Sequence, residues 1–164
     1  WATAMGSVTS SDGISIYNVQ VSPDILGIDS TSLKHATVPT PEVPNHFMML
    51  PVAFDPFTFF DDNWLIQYNY KKGEDASLDF YMNEPTENNP DEYIIDVVMT
   101  KNGTASGNQV IEDYIVVDLS DIRNRYSATG SSYKNLSIKF RYYRENEIEP
   151  YITKSYTMSV FTSN

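Results

Sequence analysis

The sequence predicts an all-β protein, an immunoglobulin-like antiparallel β-sandwich of about seven strands. Three observations predict it. Leu and Ala occur only seven times each in 164 residues, while Tyr alone occurs 12 times and Val, Ile, Thr and Ser are plentiful. Helix formers are thus scarce and strand formers abundant. From Trp64 onward, apolar and polar residues alternate with a period of two, which gives each strand one dry and one wet face. Turn signals interrupt the alternation at the short intervals of a sandwich, whose two sheets can hide their dry faces only against each other.

The elements follow in order. Residues 1–46 hold one convincing strand, Ile14–Val21, and then loop-like sequence. The stretch Pro39–Pro44, with three prolines, is extended and incompatible with a helix, because each ring fixes its own φ and restricts the residue before it. It reads as a linker, which divides the chain into 1–46 and a sandwich over 47–164. Val52–Phe60 adds a strand. In Trp64–Tyr70, Trp64, Ile66, Tyr68 and Tyr70 share a face. Gly73, within Lys71–Asp75, can supply the positive φ of a hairpin turn. Leu78, Phe80 and Met82 then oppose Asp79, Tyr81 and Asn83. A polar loop over Glu84–Tyr93 precedes the strand Tyr93–Thr100, and the Gly-containing loop Lys101–Asn108 precedes Val110–Leu119. A short helical turn fits only Ser120–Tyr126, with Ser120 as its cap. Leu136–Tyr143 follows. The last strand, Tyr151–Phe161, places Ile152, Tyr156, Met158 and Val160 inward.

Charge excludes partners. With 22 acidic residues against 11 basic ones the net charge is −11, and no basic run exceeds Lys71-Lys72. Phosphates need Lys and Arg to neutralise them, so nucleic acid and anionic membrane surfaces are poor partners. The chain has no Cys, which removes disulfides and thiolate chemistry. Its longest mostly apolar stretch, Phe47–Phe54, is too short for a transmembrane segment.

Catalytic signatures are missing. His35 and His46 are the only histidines, and both fall in loop-like sequence, where exposed histidines are the ordinary case. No nucleophile elbow, phosphate-cradling Gly loop or zinc motif occurs. Acidic clusters at Asp61-Asp62, at Glu84, Glu87 and Asp91-Glu92, and at Glu145, Glu147 and Glu149 lack a calcium-loop pattern; solvated turns account for them. Nothing in the sequence fixes two carboxylates in one cleft for glycoside hydrolysis. The expectation is therefore a non-enzyme without metal or cofactor. Tyr81, Tyr143 and Tyr151 fall on the polar faces of their strands, with Phe161 also out of phase with its buried row. Such aromatics are candidate ligand contacts, as stacking platforms for a glycan.

The segments Phe57–Tyr70, Leu78–Met82, Tyr93–Val98, Val116–Leu119, Leu136–Tyr142 and Tyr151–Tyr156 resemble, in order and pattern, the C-terminal sandwich of NigD-like proteins, envelope lipoproteins of Gram-negative gut-type bacteria. The resemblance covers about two thirds of the chain and rests on strand patterns. It implies an N-terminal OB-like barrel, of which Gly13–Val21 looks like a late strand and Trp1–Thr3 the tail of an earlier one. An OB barrel needs five strands, so residues 1–46 make only a partial OB-like segment. The resemblance further implies an exported, lipid-anchored protein of the outer membrane or cell surface, with the periplasm as the alternative. It carries no activity and no functional residues. The partner expected is an envelope protein or a glycan. Asp29-Ser30-Thr31 is similar to the acceptor motif for O-glycosylation of exported proteins in such bacteria, with Ser30 as the acceptor.

Overall fold

A computed structural model describes residues 2–9, 15–21, 27–42, 45–46, 59–126 and 132–162. Among these described residues there are eleven strands and one helical turn. β1 (Ala2–Thr9) and β2 (Ser15–Val21) form an antiparallel pair with a register shift between Ala4 and Gly6. The remaining strands form two sheets. The smaller has the order β3-β8-β5-β4, from β3 (Asp29–Ser32), β4 (Phe59–Phe60), β5 (Asn63–Lys71) and β8 (Val110–Asp118). The larger contains β6 (Ala76–Met82), β7 (Glu92–Lys101), β9 (Ser132–Tyr142), β10 (Tyr151–Ile152) and β11 (Tyr156–Thr162), with β9 between β7 on one side and β10 and β11 on the other. The strand expected over Val52–Phe60 is described only at Phe59–Phe60.

The inner faces carry the predicted rows. Trp64, Ile66, Tyr68, Ile115 and Val117 of the smaller sheet join Leu78, Phe80, Met82, Ile95, Val97, Leu136, Ile138 and Phe140 of the larger in one buried cluster. Trp64 spans the two layers, its ring 6.0 Å from Phe140 and 6.2 Å from Tyr156. Removing such a ring costs about 3–5 kcal/mol, the transfer energy plus the cavity left behind. The all-β sandwich is thus as the alternation predicts.

Its connectivity is not. β7 runs parallel to β9, and β3 parallel to β8, whereas antiparallel pairing was expected throughout. Alternation reports that one face is dry; it does not report strand direction. β5 and β6 do not pair either: β5 pairs with β8, and β6 with β7. The turn at Lys71–Asp75 is therefore an arch between layers instead of a hairpin. Gly73 still has the positive φ, +90°. A Cβ on Gly103 would overlap the carbonyl oxygen of Gly73, so the arch and the loop after β7 touch backbone to backbone. Glu74 is buried here, accepting from the Lys71 amide at 2.6 Å and pairing with Lys101 at 3.2 Å.

The sandwich also begins earlier than the linker suggested. After β3, the backbone of Lys34 crosses to the other layer: its amide donates to the Phe80 carbonyl at 2.7 Å, and its carbonyl accepts from Met82 at 3.0 Å. Leu33 between them is buried in the core. One short segment thus stitches both sheets, and residues 29–34 belong to the sandwich.

Two local features differ from the sequence reading. The helical turn α1 (Ser120–Arg123) has Leu119 instead of Ser120 at its N-cap position and no side-chain cap from it, and the Ser120 amide donates to the Asp118 carboxylate at 2.8 Å. The last strand breaks at residues 153–155. Tyr151 opposes Tyr142, yet Tyr156 opposes Ile138, so five steps match four and one extra residue flips the phase. Thr153 fills the gap, its amide donating to the Phe140 carbonyl at 2.9 Å and its hydroxyl accepting from the Phe140 amide at 3.0 Å. Ile152 consequently faces outward and is exposed.

Candidate functional site

The tyrosines singled out in the sequence do not form one platform. Tyr81 is 8% exposed, with the Lys34 ammonium 5.6 Å from its ring centre. Its polar-face position is outward, but the crossing segment at Lys34 lies against it. Tyr143 is half-buried and stacks on His46, centroids 5.1 Å apart and planes 22° apart. His46 is itself buried, so the exposed-loop reading fails for it: its ring packs on Tyr143, which follows the inward-facing Tyr142 and so lies on the outer face of the larger sheet. His35 remains exposed and meets Asp121 at 3.0 Å. The bulge turns Tyr151 to the side of Tyr142, rings 5.4 Å apart, with the Arg144 guanidinium 4.5 Å from its centre. Phe161 is exposed as expected and pairs with Tyr133, which is 72% exposed.

A cleft of about 410 Å³ lies elsewhere on that outer face, where the Glu84–Asp91 loop overhangs the start of β7. The loop folds back on itself, Asn89 donating its amide to the Thr86 carbonyl at 3.0 Å. Glu92, Ile94 and Asp96 project outward from β7, because Tyr93, Ile95 and Val97 fill the core. The parallel register sets Asp96 beside Arg141. Arg141 donates Nε and Nη2 to the two carboxylate oxygens at 2.5 and 2.6 Å, and Asn83 Nδ2 donates to the same carboxylate at 2.5 Å and to the Ile94 carbonyl at 2.9 Å. Asp96 is only 6% exposed, so a buried charge is matched by a bidentate cation and an amide. The Asp96 hydrogen bonds hold the guanidinium above the usual arginine range.

The other acids of the cleft are paired as well. Glu84 makes a fork with both terminal nitrogens of Arg125, which holds its carboxyl below the usual range. Glu92 meets Lys139 at 2.6 Å. The acidic cluster at Asp61 and Asp62 is likewise bound to Arg123, at 2.6 Å from Asp62, and the same guanidinium donates to the Ser159 carbonyl at 2.8 Å, tying the smaller sheet's turn to edge strand β11. Among the described residues no group of three or more His, Asp or Glu side chains could hold a metal ion, and no helix is long and apolar enough to cross a membrane.

Sequence reasoning noted Glu84 and Glu92 as solvated turn residues and passed over Asn83, Asp96 and Arg141. The available signal was a charged residue within the otherwise apolar run Tyr93–Met99. Its partner lies 45 residues away, and only the register identifies it.

No protein-family model matches the chain, and comparison with curated proteins finds no relative. Among solved structures, a NigD-like immunity protein from Bacteroides caccae ATCC 43185 shares the fold, with a TM-score of 0.57 over 93% of this chain and 72% of that one at 12% identity. A protein from Parabacteroides distasonis ATCC 8503 described as toxin-related aligns over 99% of this chain and 71% of its own, at 10% identity and a TM-score of 0.46. The NigD-like fold is therefore present here, as the strand patterns in the sequence implied.

Proposed function

We propose that this chain is a non-catalytic recognition module of the bacterial cell envelope, exported and lipid-anchored at the outer membrane or cell surface, and that its main partner is a protein. The observation that carries the non-catalytic reading is the state of the carboxylates around the cleft. A glycosidase needs one carboxyl whose pKa is raised, so that it can give up a proton. Here Glu84 is shifted the opposite way by Arg125, and Glu92 and Asp96 each sit against a cation. The protein partner is supported by the shared fold with a protein described as an immunity protein, and by the exposed Tyr133–Phe161 pair, since exposed apolar groups mark contact surfaces.

Fractionation of cells carrying the complete gene tests the envelope reading. The expected result is recovery in the outer-membrane fraction and loss to protease added to intact cells; recovery in the cytosol overturns it. Crosslinking in intact cells is expected to trap one envelope protein that the purified chain then binds. Turnover of a peptide or glycan substrate by the purified chain would overturn the non-catalytic reading. Ser30 is exposed within edge strand β3, open to a glycosyltransferase; on export the intact mass should exceed the peptide mass by one glycan, and Ser30→Ala should remove the increment.

A further inference from the structure

We infer that the cleft under the Glu84–Asp91 loop is a binding site for a neutral, polyhydroxylated ligand, a mono- or disaccharide unit. This goes beyond the protein-partner reading and stands or falls separately from it. The first ground is the supply of hydrogen-bonding groups. Arg141 spends Nε and Nη2 on Asp96, leaving the two N–H groups of Nη1 for the cleft it lines. Asn83 spends its amide nitrogen on Ile94 and Asp96, leaving its carbonyl oxygen as an acceptor. Glu92 engages Lys139 through one oxygen, so the other accepts. Thr86 and Asn89 add groups of both kinds from the loop. Donors and acceptors side by side suit hydroxyls, which do both at once.

The second ground is charge. Both carboxylates that line the cleft already have a cation, Glu84 with Arg125 and Glu92 with Lys139, and Asp96 behind it has Arg141. A charged ligand would meet its like charge beside every opposite one, whereas a neutral polyol meets no repulsion. The third ground is rigidity. Asp96 is buried and holds Arg141 by two bonds, so the donor is positioned before any ligand arrives, which lowers the ordering cost of binding. Ile94, half-buried on the floor, offers an apolar spot for the C–H face of a ring. The stacking platform expected from Tyr81, Tyr143 and Tyr151 has no part in this site; planar polar side chains replace it.

The test is a titration of the isotope-labelled full chain, followed by nuclear magnetic resonance. The neutral probes are maltose, cellobiose and diacetylchitobiose; the charged ones are a glucosamine dimer and a galacturonic acid dimer. At least one neutral probe is expected to shift the side-chain amide signals of Asn83 and Asn89 and the Arg141 Nε–H signal. Arg141→Lys should weaken that binding about tenfold or more, the loss of a charge-assisted donor pair. Asn89→Ala, which leaves the Asp96 network intact, should weaken it too. Tyr133→Ser should leave it unchanged. No shift with any of the three neutral probes overturns the inference, as do tighter binding of a charged probe and shifts confined to the Tyr133–Phe161 face.

Discussion

Glu74 and Lys101 meet at 3.2 Å beneath the arch between the two sheets, their side chains 10% and 5% exposed; Glu84 and Arg125 meet at the rim of the cleft with 66% and 33% exposed. The chemistry is nearly the same and the consequences differ. Taking both charges of the arch pair out of water makes each dependent on the other, because a lone buried charge has nothing to replace its lost hydration. The rim pair can exchange its partner for water at little cost. Asp96 and Arg141 stand between, the acid buried and the base 35% exposed. An ion pair's contribution here is therefore set by depth in the sandwich, and the three pairs form a graded series.

The series can be broken at its steep end. Glu74→Ala should destabilise the fold by about 3–5 kcal/mol in urea unfolding, since Lys101 is left buried and uncompensated. The double variant Glu74→Ala with Lys101→Met should recover most of that loss. If the single variant costs no more than a surface pair, depth is not the controlling variable. Asp96→Ala should cost less, about 1–3 kcal/mol, because Arg141 can turn to solvent. The same variant should abolish the shifts at Arg141 in the sugar titration, as its guanidinium is no longer held.

The rim pair gives the smallest effect and a pH signature. Arg125→Ala should cost under about 1 kcal/mol, and less in high salt. Because the folded carboxyl of Glu84 lies below its unfolded value, its contribution is present above the ordinary glutamate range and is lost as pH falls through the depressed value. The stability gap between the wild type and Glu84→Gln should therefore narrow in acid. A gap that widens would reverse the sign of the linkage. At the alkaline end the tyrosines work oppositely. Burial raises Tyr68, Tyr126 and Tyr142 above the ordinary tyrosine range, so the stability tied to their neutral forms is complete at neutral pH and lost as pH rises through the folded values. Alkaline titration followed by tyrosinate absorbance should show these phenols ionising last, together with unfolding.

Much of the fold was legible because alternation is a local property. Trp64, Ile66 and Tyr68 face inward for the same reason that Gln67 faces outward, and no distant residue is needed to see it. The extra residue near Thr153 was not legible, because polar residues fit the alternation as well as they fit a bulge. That single residue reverses Ile152 and Tyr151, and with them the expected aromatic surface. The cleft was illegible for a related cause: Asn83, Asp96 and Arg141 come from three segments that meet only through register.

The sequence alone determined that the chain is all-β, that the strands from Trp64 onward turn an apolar row inward, and that its net charge disfavours nucleic acid. These follow from composition, period and charge, which are additive along the chain. Only the tertiary structure decided that β7 runs parallel to β9, that the Gly73 turn arches between layers, that Lys34 covers Tyr81, and which cation faces each carboxylate. Those are pairings between residues far apart in sequence, and pairing depends on which surfaces exclude water together.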